Sequence, residues 1–183
     1  DEEYYELMRA SMDAYSCAGA RGAYIYWAMQ VSTEIADVAA SSPTPGVVKI
    51  YVLMDDGTLA TEEIKSKVLA ACSADERRPL TDLVTVEDAE LVPYDIQFTY
   101  YTNRSSNQSG AEIAAAVQAA VDKYIAWQCG KLGRDINPSK LIRLLMQTGV
   151  KRVDLASPAF THLQDGHQTL NEDMSYDPAE AVP

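Results

Sequence analysis

The chain has 183 residues, 47% of them apolar, and a formal charge of −12 from 27 acidic against 15 basic side chains. That length and composition suit one medium domain or two small ones with a genuine core. The charge repels phosphate backbones and anionic lipid, and the basic residues are scattered along the sequence rather than gathered into one stripe, which argues against nucleic acid or membrane as a direct partner.

No apolar run approaches the ~20 residues that span a bilayer, and no basic segment followed by an apolar one opens the chain, so a soluble protein without an export leader is expected. Cys17, Cys72 and Cys129 lie far apart without a CxxC. Their odd number points to buried thiols in a reducing compartment. The chain opens at Asp1 and runs almost directly into helix-like sequence, as expected of a piece of something longer.

In chain order, EEYYELMRASM places Tyr4, Leu7, Met8 and Met12 at helical spacing, and after CAGARG the stretch AYIYWAMQV puts Tyr24, Trp27, Ala28 and Val31 on one face. Two helices joined by a glycine-bearing turn are predicted. IADVAASSPTPGVVKIYVLMDDG reads as a short strand, a turn set by Pro43, Pro45 and Gly46, and a longer strand ending at Asp56-Gly57. Only Lys49 is charged in VVKIYVLM, so both of its faces should be covered. TEEIKSKVLAAC follows as an amphipathic helix, with Ile64, Val68 and Cys72 on one face and Thr61 as N-cap. DLVTVED closes a first module over 1–88 as a short strand.

The second module, 89–160, opens with LVPYDIQFTYYT, in which Ile96, Phe98 and Tyr100 point one way. Ser109 and Glu112 then fit a capping box for a helix carrying Ile113, Val117, Val121 and Tyr124, with Gly133 as its C-cap. Asn137-Pro138 starts a shorter helix, Gly149 stops it, and VKRVDLA makes a last strand with Val153 and Leu155 inward. Residues 161–183 are rich in acids and poor in apolar period, so an acidic tail ordered only against a neighbour is expected. The fold class is α+β: two small modules, each a mixed or antiparallel sheet with helices packed mainly on one face.

Signs of chemistry are sparse. His162 and His167 both fall in the tail, at a spacing that suits no metal pattern, and are read as solvated. There is no GxSxG, no GxGxxG and no GxxxxGK[ST], and Asp55-Asp56 before Gly57 reads as a turn. No catalytic, cofactor-binding or metal-binding residue is assigned, and an enzyme is not expected. Tyr24, Tyr26 and Trp27 place aromatic rings on more than one helix face, which core packing explains in part and a protein interface would complete. In ERRPLTDLVTV, Arg77 and Arg78 would oppose the negative end of the preceding helix, Pro79 would stop it, Leu80 would anchor the crossover, and Thr81 and Asp82 would start the strand.

Four stretches in order, SCAGARGAYIYWA (16–28), IADVAASSPTPGVVKIYVL (35–53), ERRPLTDLVTVEDAELVPYDI (76–96) and LGRDINPSKLIRLLMQTGVKRVDLASPA (132–159), resemble the baseplate J-like proteins of contractile phage tails and related injection systems. The resemblance implies a structural subunit of the baseplate wedge, acting through contacts with other wedge and hub proteins. It implies assembly in the host bacterial cytoplasm, residence in the tail baseplate of the virion, and a change of shape coupled to sheath contraction. Such proteins carry no catalytic residues or cofactors and normally have a further N-terminal region. They form a ring when full-length, although the isolated fragment can be monomeric because ring contacts are individually weak. The residues themselves fit equally well a cytosolic α+β small-molecule-binding module whose loop Asn103 to Ser109 closes over a ligand. A deep polar pocket would favour that module, flat patches with Arg77, Arg78 or Tyr26 the baseplate subunit, and a cleft of carboxylates an enzyme.

Overall fold

The computed structural model describes residues 21–74, 77–103 and 109–182. The helix expected over EEYYELMRASM, Cys17, Glu76 and the loop 104–108 lie outside the described residues. The chain divides into two compact units. Unit 1 takes residues up to Glu90 together with Gly130–Gly133 and Gln164–Gln168; unit 2 takes Leu91–Cys129, Arg134–Leu163 and the residues from Thr169 on.

Unit 1 contains helix α1 (Arg21–Met29), strands β1 (Ile35–Thr44) and β2 (Val47–Met54), helix α2 (Glu62–Cys72) and strand β3 (Leu83–Glu87). β1 pairs with β2 antiparallel and β3 with β2 parallel, so β2 is central. β1 is longer than expected and runs through Pro43, which sits in the register irregularity between Ser41 and Thr44 of this edge strand, where a missing N–H costs no regular ladder bond. The hairpin closes at Gly46, whose φ of 80° and whose closeness to the Thr81 carbonyl (3.1 Å from an added Cβ) leave room for glycine alone.

Both faces of β2 are covered, as its sequence requires. Val48, Ile50 and Val52 join Tyr24, Ala28, Ile64, Val68 and Cys72 in the main cluster, while Leu53 packs with Ala89 and Leu132 on the other side. Each such aliphatic side chain removed from water contributes about 1.5–3 kcal/mol. Helices α1 and α2 thus share one sheet face. Thr61 caps α2 by accepting from Ile64 N, and the helix ends at Cys72 with Ser73 as cap. Its end therefore comes before Pro79, which terminates nothing.

Two short returns from later in the sequence complete this unit. Leu132 N donates to Asp37 Oδ2 (2.9 Å), Glu90 N to Gly166 O (2.8 Å), Gly133 N to His167 O (2.8 Å) and Gln168 Nε2 to Gly57 O (2.7 Å).

Unit 2 is built from strand β4 (Glu90–Asn103), helices α3 (Gly110–Cys129) and α4 (Pro138–Met146), and strands β5 (Arg152–Ser157) and β6 (His167–Val182), with sheet order β5-β4-β6. Ile96, Phe98 and Tyr100 alternate inward and meet Ile113, Val117, Val121 and Tyr124 of α3 and Leu141, Leu144 and Leu145 of α4. The capping box forms in full: Ser109 N and Oγ donate to Glu112 Oε2 (2.7 and 2.9 Å), and Glu112 N donates back to Ser109 Oγ (3.2 Å). Asn137 caps α4 by accepting from Ser139 N and Lys140 N.

Two expectations are corrected. Gly133 is not the C-cap of α3, which ends at Cys129; its φ of 63° serves the return into unit 1. The stretch expected as a free acidic tail is strand β6, hydrogen-bonded to β4. The contacts Tyr94–Asn171 and Phe98–Tyr176 advance in the same sense along both strands, and the Tyr176 ring stacks on Phe98 at 4.9 Å. One backbone ladder and one aromatic anchor order the strand; Gln168 and Thr169 at its start are buried, while Glu172, Asp173 and Asp177 remain in water.

Candidate interaction surfaces

Unit 1 gathers its polar aromatic residues around the loop from α2 to β3. Arg77 Nη1 donates to the Ala71 carbonyl (3.1 Å), at the negative end of α2, and its guanidinium lies 4.0 Å over the Trp27 ring. Tyr26 meets the same indole edge-on at 5.1 Å. Arg78 Nη1 donates to Asp82 O (2.8 Å), and the Asp82 carboxylate accepts from Tyr24 OH (2.8 Å). Burial and this acceptor both push the Tyr24 phenol upward. The two arginines thus close the α2–β3 loop onto α1, and Arg77 opposes the helix dipole as expected. Leu80 anchors nothing: it is 96% exposed, and Leu83 at the start of the edge strand β3 is 61% exposed.

Unit 2 contains a second cation–aromatic cluster that sequence reasoning missed. Gln128, fully buried in the last turn of α3, donates to Arg134 O (3.0 Å) and Asp135 O (3.2 Å). Asp135 in turn accepts from Leu163 N and faces His162 Nδ1, both at 2.8 Å, and the Leu163 amide, with His162, holds its carboxyl below the usual range. The pinned turn lays Arg134 over Trp127 at 4.3 Å, and Lys140 from α4 reaches the same ring at 4.8 Å. Partial desolvation, followed by the charges of Arg143, Lys123 and Arg134, pulls the Lys140 ammonium below its ordinary value. Basic residues dispersed in sequence are therefore gathered in the fold. The signal available beforehand was Lys123 and Trp127 one turn apart on a capped helix.

His162 is exposed, as expected, though paired with Asp135. His167 is not a solvated tail residue: its Nδ1 accepts from Gln164 N (3.3 Å) and its Nε2 lies 3.6 Å from Glu90. Asp56 accepts from Thr58 N and Oγ1, which makes it a turn residue and holds its carboxyl down. Burial pushes the Cys72 thiol up to about 12, the state of an inert core thiol. Among the described residues no group of three or more His, Cys, Asp or Glu could hold a metal ion, and no helix is long and apolar enough to cross a membrane.

The depressions on unit 1 are open and internally paired. One of about 430 Å³ is lined by Glu62, Lys65, Ser66, Leu69 and Val86 to Asp88. There Lys65 Nζ meets Glu62 at 2.5 Å and Asp88 at 3.0 Å. Another of about 270 Å³ contains Asp37, bonded to Leu132 N, and the Arg21–Asp165 pair at 3.0 Å. Most of their charged groups are thus engaged, Lys65 with Glu62 and Asp88, Arg21 with Asp165, and Asp37 with the Leu132 amide.

The two-unit α+β fold thus carries one arginine–tryptophan contact in each unit. Residues 16–88 match the family model described as Baseplate J-like central domain, and residues 94–167 match Baseplate J-like protein C-terminal domain. The chain belongs to the baseplate J-like family. It is 34% identical over 159 residues to Baseplate protein J of Escherichia phage P2, an alignment covering 86% of this chain and 52% of that protein. The chain thus spans about half the length of the curated relative it matches. Among solved structures, a chain from the cryo-EM structure of the anti-feeding prophage baseplate, 6-fold symmetrised, shares the fold at a TM-score of 0.62 and 17% identity, over 93% of this chain and 42% of that one.

Proposed function

We propose that the chain is a structural subunit of the baseplate wedge of a contractile phage tail or related injection system. It acts through contacts with other wedge and hub proteins and catalyses no reaction. The observation that carries this reading is the 34% identity to a baseplate protein J over 86% of the chain. The Arg77–Trp27–Tyr26 cluster, with Arg77 exposed and both rings half-buried, supports it, since arginine and large aromatic residues are favoured at the centres of protein interfaces. On this reading the subunit joins a ring during assembly in the host cytoplasm and resides at the end of the tail distal to the head.

The test is immunogold electron microscopy of contractile particles induced from the source organism, using antibody to this chain, with mass spectrometry of the purified particles. Label at the distal tail end and matching peptides are expected. Intact particles with neither would overturn the assignment.

A further inference from the structure

Strand β6 is held unevenly along its length. Its start is fixed: Gln168 Nε2 donates to Gly57 O (2.7 Å), and the buried Thr169 donates through Oγ1 to Gln128 O (3.2 Å). From Leu170 to Ser175 every side chain but Asn171 is exposed, and Asn171 reaches only the carbonyls of Tyr94 (3.1 Å) and Asp173 (3.2 Å). The grip returns at Tyr176. Its ring stacks on Phe98 at 4.9 Å, and its hydroxyl donates to Gln118 Oε1. Gln118 is turned the right way to accept because its own Nε2 donates to Asp122 Oδ1 (2.8 Å).

Among the described side chains of β6, only Tyr176 packs against the hydrophobic core of unit 2, whereas β5 on the opposite edge contributes both Val153 and Leu155. Releasing β6 beyond Thr169 therefore withdraws one ring and leaves the packing of β4, α3 and α4 in place. A segment with so few buried contacts opens at a fraction of the free energy of global unfolding. The two edges that this release exchanges differ in character. With β6 in place the sheet ends on Glu172, Asp173 and Asp177 in water and on Pro178, which has no N–H, and both features deter strand pairing. With β6 away it ends on β4, 14 residues long, whose unpaired backbone runs beside the apolar row Tyr94, Ile96, Phe98 and Tyr100.

We infer that β6 is a hinged strap: it swings out about Thr169, with Tyr176 as its latch, and so covers or uncovers the β4 edge while the rest of unit 2 stays folded. From Gln168 on, the strap lies beyond residues 94–167 that match the family's C-terminal domain, so its behaviour is not carried over from that match. It does not depend on the wedge reading either, since the latch and hinge lie within this chain.

The experiment is amide hydrogen exchange of the whole chain, read residue by residue by NMR at several urea concentrations below the unfolding transition. In wild type the amides from Leu170 to Asp177 should exchange together with the β4 amides that face them. Their protection should be at least about a hundredfold lower than that of Val117 to Tyr124 in α3. It should also be almost independent of urea, because the opening exposes little surface. Tyr176→Ala should remove the protection of β6. It should raise exchange in α3 by no more than the protection factor that β6 has in wild type, because a strap already open has no latch left to lose. Tyr176→Phe keeps the stack on Phe98 and loses only the bond to Gln118, so β6 protection in that variant should fall between the two.

Wild-type β6 amides that match α3 in both protection and urea dependence would overturn the strap, since the strand would then open only with the whole unit. So would β6 protection that survives Tyr176→Ala, or β6 exchange that leaves the facing β4 amides protected. A Tyr176→Ala chain that fails to fold would overturn it too, because the ring would then hold the unit and not the strand alone.

Discussion

Each unit sets cations against its single tryptophan, and the two arrangements spend the charge differently. Arg77 over Trp27 also satisfies the Ala71 carbonyl, so its charge is absorbed by the end of α2 and by the closure of a loop. Around Trp127, Arg134 and Lys140 stack while Lys123 and Arg143 add like charge. The first cluster closes a loop with an exposed arginine over a half-buried ring; in the second, like charges crowd the Lys140 ammonium. Similar composition is thus arranged in two ways, and what separates them is the like charge that Arg143 and Lys123 add beside Lys140.

The units also differ in self-sufficiency, and here the largest effects are expected. Tyr124→Ala and Ile50→Ala each empty a site with no exposed surface, in unit 2 and unit 1 respectively. Losses of about 3–5 and 2–5 kcal/mol are expected in urea denaturation. Native-state hydrogen exchange will separate them. Unit 1 depends on the returns Gly130–Gly133 and Gln164–Gln168, whose flanking residues belong to unit 2. Tyr124→Ala should therefore lower protection in both units, and Ile50→Ala in unit 1 alone. Equal loss in both units from Ile50→Ala would break the distinction.

Next in size is the alkaline limit. The Cys72 thiol is raised from 9.0 to about 12 in unit 1 and the Tyr124 phenol from 10.0 to about 12 in unit 2, chiefly by burial. Both folded-state values lie above the unfolded ones, so the stabilisation is complete below the unfolded value and disappears as pH rises toward the folded one. Unit 1 should begin to weaken from pH about 9 and unit 2 from about 10. Tryptophan fluorescence in Trp127→Phe and Trp27→Phe variants reports each unit separately. Cys72→Ala should remove the earlier onset in unit 1 without moving unit 2.

The parts legible in the sequence were those set by near neighbours. Thr61, the Ser109–Glu112 box and Asn137-Pro138 announce helix starts because capping bonds span three residues, and Val48, Ile50 and Val52 announce a strand because burial repeats with period two. β6 was illegible because its order comes from β4, some 75 residues earlier, and from the Phe98–Tyr176 stack, while its remaining side chains keep the composition of a free tail. The Trp127 cluster was missed for a different reason: its residues lie close in sequence, but the turn that Gln128 holds and that lays Arg134 over the ring has no period of its own to announce it. Leu80 misled in the opposite direction, as an apolar residue that the loop leaves in water.

A smaller effect sharpens the contrast between the tryptophans on the unit 1 side. Arg77→Ala removes the bond to Ala71 O and the cover over Trp27, and should cost about 1–2 kcal/mol in urea denaturation. Arg77→Lys should recover only part of this, because an ammonium cannot both lie flat on the indole and reach the helix end as the guanidinium does. Full recovery by lysine would mean that charge near the dipole is sufficient and the stacking is incidental.

The smallest effect has the opposite sign. Lys140→Met keeps the aliphatic stem over Trp127 and removes one of four crowded cations, leaving Arg134 in place on the ring. If the cluster is uncompensated within the chain, the substitution should raise the denaturation midpoint slightly. The gain should shrink as salt screens the repulsion among Lys123, Arg134 and Arg143. A gain that persists at high salt would point to better packing by the thioether rather than to relieved charge. A loss would show that Lys140 is held by an attraction within its own unit, as Arg77 is, and the contrast between the two tryptophans would disappear. The sign of this small change, read at two ionic strengths, therefore decides whether the second cluster is another loop clasp or a surface whose charge is left for something outside the folded chain.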